Sequence, residues 1–331
     1  IYGGVVSLGS AVTATGSTLT IEAATSASQS AVITATSLKL IGAGTFSLSN
    51  VSNAITTLAA GTSSVRVGVL TFVNSSAFTV GTVSSVSGVY GSGTVTLESV
   101  SGDVTISQNL NTTSTSSSAL IVNAGKSTAA GTITGGNIII SGSPTITLGT
   151  NGRATFYTGS VSGSTGLTSL IGAASGRFRY NSDESATNFT SSLSSGSYAI
   201  YREQPTLTIT VDDKTMVYGA SFPTLTATVS GYKNSDTLAQ SVGTSPTLTP
   251  TASGLSSSNN YVVGTHDVTA SSATELLGYA LSYVHAHLTV TAKPLSLPSI
   301  SAVNKTYDAG RTATISSYGS LSGVVVLDDV S

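Results

Sequence analysis

The chain has no cysteine and no tryptophan, and only one methionine, three histidines and seven prolines in 331 residues. Without cysteine there is no disulfide framework, no thiolate metal site and no cysteine nucleophile, and the gap tilts mildly toward an exported protein. Charge is scarce as well: Asp, Glu, Lys and Arg make up 8% of the residues, about a third of the usual share. Twelve scattered basic residues against fourteen acidic ones leave a net charge of −2. That balance excludes the basic footprint of a nucleic-acid binder. Long apolar runs are missing too. The longest are Ile138-Ile139-Ile140 and Val324-Val325-Val326-Leu327, far short of the roughly 18 residues of a membrane helix. The opening Ile1-Tyr2-Gly3-Gly4 starts in mid-pattern without a basic leader region, which predicts an excerpt of something longer.

What is present is hydroxyl. Serine (60) and threonine (52) supply a third of the chain, and glycine adds 35. With so few ions, the polar surface must be built from hydroxyls. Ser and Thr with many Val and Ile disfavour helix and favour strand. Disorder is the rival reading of such a composition. However, 39% hydrophobic residues, a mean hydropathy of +0.29 and little net charge supply burial without self-repulsion. The composition predicts a folded, all-β protein.

Residues 1–150 form one block. Between Ile1 and Gly152 there are six charges: Glu22, Lys39, Arg66, Glu98, Asp103 and Lys126. Apolar residues come in short alternating triplets such as Val95-Thr96-Leu97, Val104-Thr105-Ile106, Leu120-Ile121-Val122 and Ile146-Thr147-Leu148. Alternation marks a strand with one buried face. The triplets at Val95, Leu120 and Ile146 are 25 and 26 residues apart. Short strands returning at that period predict a parallel β-helix whose rungs cover one another. A sandwich would give longer strands every 8–12 residues; it and an irregular solenoid are the alternatives. Residues 151–205 regain charge and aromatics, among them Arg177, Phe178, Arg179, Tyr180, Tyr198, Tyr201 and Arg202. A solenoid's last rung needs such a bulky cap over its core and strand edge, and this reading outweighs a ligand site there. From Thr206 a second grammar begins, with full alternating strands at Leu207–Val211 and Tyr283–Val290 and a possible helical turn at Asn234–Ala239 capped by Ser235 or Asp236. Residues 206–293 read as one small β domain, and 294–331 as a linker and an incomplete further unit.

The residues here resemble a known module. Val211-Asp212-Asp213-Lys214-Thr215-Met216-Val217-Tyr218-Gly219, Pro223-Thr224-Leu225-Thr226, Val229-Ser230-Gly231 and Leu288-Thr289-Val290-Thr291 resemble the MBG domain, a mostly-β module found in tandem in giant bacterial surface proteins. Asn304-Lys305-Thr306-Tyr307-Asp308, with Leu321-Ser322-Gly323 and Asp328-Asp329-Val330, looks like the start of the companion YDG repeat, though Ala309 stands where glycine is usual. Residues 1–205 resemble the haemagglutinin-type β-helix of two-partner-secreted adhesins. Gly163–Leu170 and Arg179–Glu184 resemble the segment that joins such a helix to MBG repeats. The resemblance implies a right-handed parallel β-helix with an end cap, then an MBG-like domain and an incomplete YDG-like repeat. It implies an extracellular role at a bacterial surface and no catalytic residue.

The candidate chemistry is thin. His285 and His287 share a strand face with Tyr283 and Thr289, and a zinc site would need a third ligand such as Asp267 or His266. Exposed histidines are the commoner outcome of that pattern. Residues 1–205 contain no histidine, so no Ser-His-Asp triad arises there. Glycoside hydrolysis on a β-helix needs two carboxylates. Residues 1–152 offer only Glu22, Glu98 and Asp103, and Glu98 with Asp103 lacks an evident basic neighbour. The acidic pairs Asp183-Glu184, Asp212-Asp213 and Asp328-Asp329 read as turns and caps rather than calcium sites. Gly42-Ala43-Gly44 and Gly91-Ser92-Gly93 are turn glycines, and the sequons at Asn111 and Asn188 match by chance in a bacterial context. No catalytic, cofactor-binding or metal-binding residue is therefore assigned, and no cofactor is expected. The sequence predicts a non-enzymatic adhesin or stalk fragment, with a self-assembling filament or sheath subunit as the alternative. Its expected partners are other copies of itself or the rest of a longer chain, and glycans or cell surfaces. Residues 299–331 are expected to pair by strand addition with another copy or with 206–293.

Overall fold

The structure, a computed structural model, describes residues 1–251, 254–297 and 299–328. Two compact units are present. The first comprises Ile1–Leu207, Gly231–Thr244 and Thr274–Leu281; the second comprises Thr208–Ser230, Ser245–Ala273 and Ser282–Ser331.

The first unit is a parallel β-helix built on a 17-stranded sheet. One rung consists of Leu70–Asn74, Phe78–Val80 and Val89–Gly91, and the next of Val95–Ser99, Val104–Ile106 and Leu110–Thr112. The three strands of a rung pair in register with the three below, giving three faces. On the first face Val6, Ala27, Phe46, Leu70, Val95, Leu120, Ala154 and Ser197 lie one above another. Two residues on, Leu48, Phe72, Leu97, Val122, Phe156 and Ala199 form an inward column, all of it fully buried. The second face carries Leu38, Leu58, Val80 and Ile106, and the third Leu40, Ala60, Val89 and Leu110. The alternation thus sends every second residue of a short strand into one continuous core.

Corners are closed by buried amides and hydroxyls. Asn53 Oδ1 accepts the Ile33 N–H at 2.9 Å, and its Nδ2 donates to the Val73 carbonyl at 3.0 Å. One rung on, Asn74 Oδ1 accepts the Ile55 N–H at 2.8 Å, while Nδ2 donates to Ile55 and Ser76 carbonyls at 3.0 and 2.9 Å. Both side chains are fully buried. They satisfy the backbone groups that a bend removes from the ladder.

Two expectations about the rungs need correction. Ile146 does not stack on Leu120; it lies over Leu110, and Leu120 is followed by Ala154. The coil that starts at Leu120 is 34 residues long, against 25 for those starting at Leu70 and Val95, because 125–137 is inserted between two of its strands. The strands are also not all short. Val12–Gln29 runs 18 residues through a corner, bending where its pairing shifts between Ala14 and Thr18; Gly16 supplies the positive φ of 73° there.

Helix is confined, among the described residues, to α1 (Leu167–Ile171) and α2 (Leu238–Ser241). α2 begins later than expected. Its cap is Thr237 rather than Ser235 or Asp236, and the Thr237 N–H donates back to Gln240 Oε1 at 2.9 Å. α1 was not foreseen.

In the second unit Lys214–Val217, Ala286–Thr291, Gly264–Ser271 and Thr247–Pro250 form a four-stranded sheet in that order. Lys214–Val217 runs parallel to its neighbour and the other pairs are antiparallel. Val268, Ala270, Ala286, Leu288 and Val290 give it one buried face. The expected pairing of 299–331 with 206–293 is not made among the described residues. Ser301–Ala302 pairs antiparallel with Ile315–Ser317, and Ser296 bridges Ser322, so the ladder is internal. Contact with the preceding domain comes from side chains instead: the Tyr218 hydroxyl donates to Asp328 Oδ2 at 2.6 Å, and Ser258 Oγ bonds Asp328 Oδ1.

Candidate functional site

The histidines do not converge. His266 is buried, its Nε2 at 2.8 Å from the Val262 carbonyl and its ring edge-on to Tyr261 at 5.1 Å. The strand expected over Tyr283–Val290 breaks at His285, which leaves Val284 45% exposed. His287 stands opposite Asp267 on the neighbouring strand, Nδ1 to Oδ1 at 3.3 Å, and its N–H donates to Asp213 Oδ1 at 2.8 Å. His266 and Asp267 are consecutive strand residues and so point to opposite faces. Among the described residues no three His, Asp or Glu side chains are grouped to hold a metal ion.

The carboxylates of the β-helix are engaged in structure. Glu98 has a basic partner after all: Lys126 Nζ lies 2.6 Å from its Oε2. The two are 28 residues apart because Lys126 sits one coil up. Asp103 Oδ1 accepts the Asn137 N–H at 2.8 Å. Asp183 ties the inserted 125–137 loop to the cap, accepting N–H bonds from Ala130 at 2.7 Å and from Ser185 and Ala186 at 2.6 Å, plus the Ser185 hydroxyl at 2.8 Å. Burial pushes its carboxyl up, but these donors outweigh burial and hold it below the usual range. Glu184 accepts the Ser127 N–H from the same loop.

The densest polar cluster closes the β-helix. Tyr180 and Tyr201 stack with centroids 5.6 Å apart, and Tyr180 meets Tyr279 at 4.5 Å. Asp236 Oδ2 accepts hydroxyl bonds from Tyr180 at 2.7 Å and Tyr279 at 2.9 Å, while Asn234 Nδ2 donates to the Tyr180 hydroxyl at 3.0 Å. Asp236 is 4% exposed, and its Oδ1 has no partner among the described residues. Burial raises its carboxyl above the usual range, against the two tyrosine hydroxyls and Arg179, which pull it down. Arg179 and Arg202 are fully buried, with no ion pair among the described residues. Arg179 donates to the Gly176, Phe178 and Ser191 carbonyls at 2.9, 2.7 and 3.1 Å and lies over the Phe189 and Tyr198 rings. Arg202 Nη2 donates to the Gly136 carbonyl at 2.8 Å. Burial lowers the affinity of both guanidinium groups for their protons.

Strand order, the positive-φ Gly219 after Lys214–Val217, and the closing strand Ala286–Thr291 give the second grammar its three-dimensional form. Residues 207–289 match the MBG domain (YGX type). The match covers about a quarter of the chain. The MBG segment contributes to both units, since Gly231–Thr244 and Thr274–Leu281 belong to the first. No curated protein and no solved structure matched the chain.

Two open grooves lie among the described residues. One of about 650 Å³ in the first unit is lined by Ser143, Pro144, Thr145, Ser169 and Ser197. One of about 290 Å³ in the second is lined by Tyr218, Lys293, Leu295, Val324 and Asp328. The first offers hydroxyls and no titratable side chain; the second offers one cation and one engaged carboxylate.

Proposed function

We propose that the chain is part of an extracellular bacterial surface adhesin or stalk that acts through a stiff, repetitive β scaffold and carries no catalytic centre. One observation carries this reading: a hydroxyl-faced parallel β-helix and an MBG match at 207–289 lie on one chain. Outward positions stack as hydroxyls in the column Ser7, Ser28, Ser47, Thr71 and Thr96. At a rung spacing of roughly 4.8 Å such a surface meets glycans or other surfaces over length rather than in one pocket. The carboxylates a glycoside hydrolase would need are held by Lys126 and the Asn137 N–H, which favours a structural role for them.

The test is to purify the chain, record its assembly state and measure retention on cells and on a glycan array. A monomer retained through residues 1–205 is the expected result. Regular fibres without retention favour a filament or sheath subunit, and turnover of a polysaccharide would overturn the non-enzymatic reading.

A further inference from the structure

The closure of the β-helix is made by chain from two distant stretches of sequence. Ala174 N–H donates to the Asn234 carbonyl at 3.0 Å, Tyr180 N–H to the Leu277 carbonyl at 2.8 Å, and Thr190 N–H to the Leu276 carbonyl at 3.1 Å. Gly278, at φ 99°, lies so close to the Tyr180 backbone that a Cβ there would run into the Tyr180 carbonyl oxygen. At the centre of these contacts one oxygen of Asp236 accepts from both the Tyr180 and Tyr279 hydroxyls.

We propose that Asp236 is a proton-set latch: it holds 231–244 and 274–281 on the β-helix end, and it closes more firmly when its carboxyl is protonated. A buried carboxylate oxygen without a donor is costly while charged. As a neutral acid, the same group keeps both tyrosine bonds to Oδ2 and leaves only a hydroxyl uncompensated. The groups facing it are Tyr180 and Tyr201 from the cap, Tyr279 from the returning stretch, and Arg179. The tyrosines stay neutral through the acidic range because burial raises them. Arg179 turns its N–H groups to carbonyls, and Glu275 is engaged with the Gly278 and Tyr279 N–H groups. None of these neighbours supplies a direct donor to the open oxygen.

The sign follows from the direction of the shift. A carboxyl that holds its proton more tightly when folded stabilises the closed form below the ordinary Asp value of about 3.9, loses that as pH rises, and is flat once fully ionised. Each unit of difference amounts to about tenfold in the ratio of closed to open forms. The experiment compares the full chain with Asp236→Asn by hydrogen exchange of 174–180, 231–244 and 274–281, corrected for intrinsic rates, over about pH 4 to pH 7. Wild-type protection relative to the variant is expected to fall several-fold across this range, since the other carboxylates cancel in the comparison. Tyr279→Phe, which removes one donor, is expected to steepen the wild-type fall and serves if the first variant does not fold. Parallel pH curves for wild type and either variant, or a wild type that gains protection with rising pH relative to Asp236→Asn, would overturn the latch.

Discussion

In the first unit burial runs along the stacking direction: Leu48, Phe72, Leu97, Val122, Phe156 and Ala199 touch in sequence, and each rung is covered above and below. In the second unit burial is split between one face of a four-stranded sheet and Ile209 and Val211 of a three-stranded one, and the chain after Pro294 leaves Tyr307, Val326 and Leu327 between 81% and 91% exposed. Both are strand-rich and poor in charge. The contrast shows that the same Ser, Thr and Val alphabet gives a deep core only when each strand is flanked on both edges, as parallel stacking allows. Where strands are few, the edge remains and the core is thin.

Core truncation sets the comparison at its sharpest. Phe72→Ala in the β-helix is expected to cost about 3–5 kcal/mol, whereas Tyr307→Ala in the exposed tail stays within about 0.5 kcal/mol. Thermal melts followed by circular dichroism decide it, and equal losses would erase the distinction. Next in size is Asn74→Ala, which orphans the Ile55 N–H and two carbonyls inside the corner and is expected to cost about 1–3 kcal/mol. A rung that melts no earlier would mean the corners do not depend on their amides.

Asp183→Asn comes third, with an expected loss on the order of 1–2 kcal/mol at neutral pH. Its folded value is depressed, so its contribution is present above the ordinary carboxyl value and disappears as pH falls through the depressed one. Acid titration of wild type and variant should therefore converge at low pH, opposite in sign to Asp236. Lys126→Ala, removing a partly exposed ion pair, is expected to shift stability by less than about 1 kcal/mol and less still in high salt. Smallest of all, a chelator is expected to leave the melting point unchanged, because among the described residues no three His, Asp or Glu side chains are grouped and the His287 ring meets Asp267 alone of them; a shift of several degrees would reveal a metal site.

Much of this was readable from one chain. The triplets gave the strands and the step from Val95 to Leu120 is a true coil, whereas Phe156 and Tyr198, among the aromatics after Gly152, lie in further coils of the stack. The step to Ile146 misled because equal spacing was counted through the 125–137 insertion, which moves Ile146 to a different face. The Lys126–Glu98 pair was invisible because partners one rung apart have no fixed sequence offset once coils vary in length. His266 carries no local mark of burial; only the pairing of Gly264–Ser271 with Ala286–Thr291 turns it inward. Nor does sequence tell that 231–244 and 274–281 join the first unit, since that is decided by packing on Tyr180 rather than by propensity.

The register of the β-helix also bears on how it is made. Vertical neighbours are separated by 21 residues at Val12 and Ile33, 25 at Leu70 and Val95, and 43 at Ala154 and Ser197. For an all-β protein these are short searches, so a finished rung is a template on which a neighbouring rung condenses, wherever in the stack order begins. The last coil is roughly twice the first, which adds only about 0.6 kcal/mol of closure entropy. That end has a further requirement: hydrogen bonds to the carbonyls of Asn234 and Leu277, residues that lie 60 and 97 positions beyond their partners Ala174 and Tyr180 and so reach the stack by a longer closure than any rung.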